Sequence, residues 1–274
     1  MMIRAVLRKA VRDGLPQLVV SCVLLFLFSW LFVWLTSLIN VGLWATFFDM
    51  LPAFVQKLMP VSPKILITPT GRVSFLFVHI VPLLIIIGWS IGRASQIVSG
   101  EIASGRYEVL LTLPVHRYLW VVVPAVVISL GAILMAGSMR LGLWVATMTV
   151  RLPERLPLAQ FTPGLVNVAA LSIALSGITA AVSAFLSNRW NTIGIAAVIL
   201  MVSMIVKLVA RLWAPGDWMK YLSFLTLFEP QELIFAGGAT GVVIGYNAGL
   251  IAIGVVGFVV AAAALSLRDI PVSR

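Results

Sequence analysis

Six apolar stretches limit what this chain can become. A helix needs about 20 consecutive apolar residues to cross the hydrocarbon core of a bilayer. Residues 18–39, 73–92, 118–139, 164–187, 192–213 and 246–267 each meet that requirement, and the third can extend to Val150. Lipid offers no hydrogen bonds, so the backbone of each stretch must satisfy itself as a helix. The expected fold class is therefore an all-α integral membrane protein, one transmembrane domain over residues 1–274. With 61% hydrophobic and 10% charged residues, the chain lies far from a soluble domain, where about 25% are charged.

The polar residues between these stretches carry the rest of the information. Arg4, Arg8 and Arg12 recur every fourth residue ahead of the first span, with Lys9 beside them. This spacing predicts a basic amphipathic helix over 1–16 lying on an anionic leaflet, with membrane lipids as its partner. No small-residue cleavage site follows the first apolar core, so a removed leader is not expected. The net charge of +10 is dispersed between apolar runs, which excludes a nucleic-acid footprint. With both termini cytoplasmic, the Lys and Arg divide almost evenly between the two sides, and the N-terminal cluster favours an inside N-terminus. The single cysteine, Cys22, lies in an apolar run and allows no disulfide framework.

Residues 40–72 hold prolines, glycines and Asp49, Lys57, Lys64 and Arg72, which predicts a loop with a short interfacial helix at 43–58. Residues 214–245 alternate short apolar pieces with Asp217, Glu229 and Glu232. No piece there can span alone, and a re-entrant hairpin before the sixth span accounts for them. Tryptophan prefers membrane interfaces. By that rule Trp89, Trp120 and Trp190 mark one side, and Trp44, Trp144, Trp213 and Trp218 the other. Trp30 and Trp34 fall inside the first span and share a helical face, where packing explains them best.

The longest polar interruption with helical periodicity is 96–117. Ile102, Arg106, Val109 and Leu113 form one stripe, Glu101 and Glu108 point elsewhere, and Pro114 ends the helix before the third span. Gly100-Glu101-Ile102-Ala103-Ser104-Gly105-Arg106-Tyr107 imitates a phosphate-binding loop. It lacks the Lys and Ser/Thr after the second glycine that would hold phosphate and magnesium. No His-Glu-x-x-His occurs, and His79 reads as a hydrogen-bonded packing residue. No Asp or Glu falls mid-span, so an ion-coupled carrier lacks its usual carboxylates. Lys207 and Arg211, one turn apart near the end of the fifth span, read as snorkelling cations, with attraction of an anionic headgroup the less favoured alternative. No catalytic residue, cofactor site or metal site is expected. Gly237, Gly241, Gly245 and Gly249 recur every fourth residue and predict a close helix contact, within the subunit or across a dimer.

Glu101-Ile102-Ala103-Ser104-Gly105-Arg106-Tyr107-Glu108-Val109-Leu110-Leu111-Thr112-Leu113-Pro114-Val115-His116-Arg117 resembles the coupling segment in the membrane (permease) subunit of ABC-2, or type V, ABC transporters. The family pattern is an acidic residue, a nearby glycine, a Glu-x-Leu-Leu-like run and a closing Pro-x-x-Arg. The Arg106-Tyr107 pair departs from it. The basic N-terminus, Phe228-Glu229-Pro230 and Arg268-Asp269-Ile270 are secondary matches. The resemblance implies a cytoplasmic coupling helix at about 96–114 that docks on a separate ATP-binding subunit, where ATP and magnesium would reside. Glu101, Arg106, Glu108 and Leu111 would face that partner, Gly105 would permit close approach, and Pro114 would set the turn into the third span. It further implies a second permease copy or a paralogue, a plasma-membrane location and export as the activity. The alternatives are a stand-alone secondary transporter or channel, and a membrane assembly subunit that transports nothing.

Overall fold

The computed structural model describes residues 2–38, 67–105, 116–152, 156–237 and 239–267, with isolated positions 46, 50, 52, 55 and 65. The described residues are helical, without strands. Among the described residues, six segments are long and apolar enough to cross a membrane, which marks the chain as a multi-pass membrane protein. The expected interfacial helix at 43–58 lies almost wholly outside the described residues.

Helix α1 (Met2–Leu38) joins the expected basic helix and first span into one element of 37 residues, continuous through Pro16. At 1.5 Å per residue α1 is about 55 Å long, well beyond the roughly 30 Å hydrocarbon core. Arg4, Arg8 and Arg12 are exposed, while Val6, Ala10 and Gly14 on the opposite face are buried.

The second span is broken. A short helix, Pro69–Ser74, capped by Thr68, leads into a 3-10 turn, Phe75–Val78. The backbone then extends at His79 before α2 (Ile80–Ala94) begins. Pro82 explains the break. Without an N–H it cannot bond the Val78 carbonyl, so it is tolerated only in a first turn. His79 caps α2, its Nδ1 accepting from Val81 N at 3.2 Å, and its ring packs between Phe28 and Phe32.

Then come α3 (Leu119–Thr149), α4 (Thr162–Phe185), α5 (Arg189–Leu212) and α6 (Thr240–Leu267). The third span takes its longer extent, and the sixth starts earlier than its apolar run suggests. Asn188 starts α5 directly after α4, its side chain accepting from Trp190 N and Asn191 N. Helix α4 is the centre: 72% of its apolar window is buried, against 11% for α5.

Small residues set the crossings, as expected where helices associate in lipid. A Cβ on Gly177 of α4 would lie 2.1 Å from the Gly254 carbonyl oxygen of α6, and one on Gly257 would meet the Gly177 backbone at 2.3 Å. A Cβ on Gly142 of α3 would lie 2.4 Å from the Phe26 carbonyl oxygen of α1. The expected stripe is not this contact. Gly237 lies before α6 with φ +56, Gly241 and Gly245 meet nothing within 4 Å among the described residues, and Gly249 is pressed against Leu227. Packing geometry chose the second half of α6, because α4 crosses it there.

Two of the tryptophans pack inside the bundle. Trp89 is 1% exposed, packed on Gly131 with Nε1 donating to the Ile128 carbonyl at 3.2 Å, and Trp120 is buried too. Trp144, Trp190, Trp213 and Trp218 are exposed. Trp30 packs inward and donates from Nε1 to Thr149 Oγ1 at 2.8 Å.

Candidate functional site

Polar side chains concentrate at the two ends of the bundle. At the first end, the N-terminal part of α1 meets the C-terminal ends of α2 and α4 and the start of α5. Past Ser95, Gln96–Gly100 forms a π-helical turn that continues into a one-turn helix, Glu101–Ala103. Such π-turns widen the helix and often mark functional positions.

Three sets of contacts fix this turn. Ser183 Oγ on α4 accepts from Ser99 N at 2.9 Å and from Val98 N at 3.3 Å. Thr192 Oγ1 on α5 donates to Ser99 Oγ at 2.8 Å. On the other flank Lys9 Nζ on α1 donates to Glu101 Oε1 at 2.7 Å and also pairs with Asp13 at 3.2 Å. Arg93 on α2 donates to the Asp13 carbonyl at 3.0 Å, and Arg189 on α5 to the Gly92 carbonyl at 3.1 Å. A small cavity of about 40 Å³ remains among Lys9, Asp13, Arg93, Gln96 and Glu101.

These contacts revise the expectation for Glu101. The sequence suggests an exposed docking charge there, yet Glu101 is 5% exposed and tied to Lys9. A carboxylate removed from water requires a partner, and α1 supplies one from the far side of the sequence. Gly105 ends the segment in the left-handed region, φ +68, a role that favours glycine. Arg106, Glu108, Leu111 and Pro114 lie outside the described residues. Arg4, Arg8 and Arg12 project on the exposed face of α1, away from Glu101.

The second end joins the C-terminal end of α5 to the starts of α4 and α6. Between α5 and α6 the chain folds inward through two 3-10 turns, Ala214–Leu222 and Phe224–Leu227, and a short helix, Pro230–Ile234. Phe228, Glu229, Gln231 and Leu233 are buried. Glu229 Oε1 pairs with both Lys207 Nζ, at 2.9 Å, and Arg211 Nη2. Lys207 Nζ also donates to the Phe228 carbonyl at 2.7 Å. Asn167 of α4 accepts from Glu229 N at 3.0 Å and donates to the Leu227 carbonyl at 3.0 Å and to Asn247 of α6 at 2.9 Å. Partial desolvation, and then the neighbouring Glu229 charge, raises the pKa of Glu232 on the next turn, although its side chain stays exposed.

Lys207 and Arg211 therefore do not snorkel alone; Glu229 neutralises one of the two charges. The sequence held a signal for this. Two cations one turn apart in an apolar helix call for a carboxylate, and Asp217, Glu229 and Glu232 are the acids of the segment that follows.

Among the described residues, no cluster of three or more His, Cys, Asp or Glu side chains could hold a metal ion. No family model matches the chain, and no curated protein sequence matches it.

Proposed function

We propose that this chain is the permease subunit of an ATP-driven exporter of the ABC-2 (type V) class. In this reading it sits in the plasma membrane with both termini cytoplasmic and pairs with a second copy or a paralogue. A separate subunit binds ATP and magnesium and docks on the segment at 96–114. The observation that carries the proposal is the anchoring of that segment. Its root, Gln96–Ala103, is tied to α1 by Lys9–Glu101 and to α4 and α5 by the Ser183–Ser99–Thr192 hydroxyls.

A partner that displaces such an element acts on four helices at once. Motion of residues beyond Gly105 passes through Glu101 to α1 and through Ser99 to α4 and α5. Hydrolysis on the partner would thereby rock the bundle between two openings. Glu101 serves as the internal anchor of this lever, and Arg106, Glu108 and Leu111 are left for the docking face.

The test is affinity purification of the tagged chain from its native membrane in mild detergent, with identification of co-purifying proteins and an ATPase assay. A stoichiometric soluble ATPase that is lost when 106–114 is scrambled supports the proposal. A homo-oligomer without an ATPase sinks it.

The Glu229–Lys207–Arg211 cluster favours one alternative, a stand-alone transporter, since buried ionisable groups among spans often mark ion or substrate paths. That reading predicts ion-coupled uptake by the purified chain in vesicles without ATP.

A further inference from the structure

Helix α5 stands off from α2, and the gap between them is a cleft of about 380 Å³. Its walls are apolar: Leu83 and Ile87 from α2, Leu171 from α4, Leu200 and Met204 from α5. Polar groups occur at one end only, where Lys207, Arg211, Glu229 and Gln231 complete the lining. A cavity of this size, mostly apolar with a few convergent polar groups, is the usual form of a ligand site.

We propose that this cleft binds one anionic phospholipid from the bilayer, its headgroup at Lys207 and an acyl chain along the α2–α5 wall. Three observations select that occupant. Among the described residues the charged lining comprises two cations and one carboxylate, a balance that suits an anionic head. The next acid, Glu232, is exposed and does not line the cleft. Lys207 has three donors, and two acceptors are met among the described residues, Glu229 Oε1 and the Phe228 carbonyl. Its side chain is 18% exposed and lines the cleft.

The third observation is depth. The polar end lies at the C-terminus of α5, where Trp213, Trp218 and Tyr221 follow and are 54%, 59% and 81% exposed. Exposed Trp and Tyr settle at headgroup level. The charged end of the cleft thus meets phosphates, while Met204 and Leu200, one and two turns along α5, meet acyl chains. This inference stands whether or not the chain works with an ATPase.

The experiment is native mass spectrometry of the full chain after transfer from bilayer discs into delipidating detergent. Discs contain either phosphatidylcholine alone or equal parts phosphatidylcholine and phosphatidylglycerol. The expected result is one retained phosphatidylglycerol and no retained phosphatidylcholine. Lys207→Gln should lower that retention about tenfold, the effect of one charge-assisted hydrogen bond. Lys220→Gln, which breaks an exposed pair with Asp217 at the same end, should leave it unchanged. Met204→Trp fills the apolar wall on an exposed helix face and should abolish retention even if Lys207→Gln does not fold. Equal retention of both lipids, retention that survives both cleft variants, or displacement of the lipid by equimolar inorganic phosphate would overturn the proposal.

Discussion

Lys9 Nζ donates to Glu101 Oε1 at 2.7 Å, joining positions 92 residues apart in the sequence. The two partners are unequal: the Glu101 side chain is 7% exposed and that of Lys9 35%. Water can take over for the lysine but not for the carboxylate. The contact therefore holds the N-terminal helix against the root of the segment that follows α2.

That inequality predicts which deletion costs more. Lys9→Met leaves a buried carboxylate without its lysine and should destabilise by about 1–3 kcal/mol. Glu101→Gln leaves Lys9 with Asp13 and solvent and should cost less. Thermal unfolding of the two purified variants in one detergent gives the order; a larger loss for Glu101→Gln would refute it.

At the opposite end, Glu229 balances two cations. Glu229→Gln removes the carboxylate that Lys207 and Arg211 share, and a broken buried ion pair of this kind costs about 3–5 kcal/mol. Adding Lys207→Met to Glu229→Gln should restore much of the lost melting temperature, because one cation is then removed with the anion. Equal melting temperatures for the single and double variants would mean that the two charges are not coupled.

The α4–α6 crossing depends on Gly177 and Gly254. Gly177→Val or Gly254→Val should separate the helices and cost at least about 1–3 kcal/mol, as overpacking does. Gly241→Ala and Gly245→Ala, which meet nothing within 4 Å, should be neutral in the single chain. Loss of an oligomer in the last two, seen by size-exclusion chromatography with light scattering, would assign that stripe to a contact between copies.

Gly105 has a positive φ, and a methyl group added there would meet nothing within 4 Å among the described residues, so the requirement they show is one of backbone conformation. Gly105→Ala should cost about 1 kcal/mol and Gly105→Asn less, since Asn enters the left-handed region more readily. If ATPase stimulation is the readout, the same order is expected; equal activity in both variants would detach the conformation of Gly105 from coupling.

Ser183→Ala removes the acceptor of two backbone N–H groups in the π-turn, Val98 and Ser99. Two buried donors then lose a partner, at about 1–3 kcal/mol each where nothing replaces it. Hydrogen exchange at Val98 and Ser99 should accelerate relative to the middle of α4, and unchanged protection would count against the anchoring role.

Much of this architecture is legible in the sequence because the bilayer makes span length and apolarity a local property. Six runs of sufficient length, the basic face of Arg4, Arg8 and Arg12 and the capping role of Asn188 need no knowledge of neighbours. Even the break at His79 follows from Pro82, a residue whose missing N–H acts within one turn. Partnership is different, because it depends on which helices cross and at what height. A glycine every fourth residue marks where a close approach is possible, yet α4 crosses α6 at Gly254 and Gly257 instead. Glu101 and Glu229 look solvated in the sequence, because both lie in the interruptions between the apolar runs. Only the tertiary structure carried them inward, where low polarity forced each to find a cation from another helix.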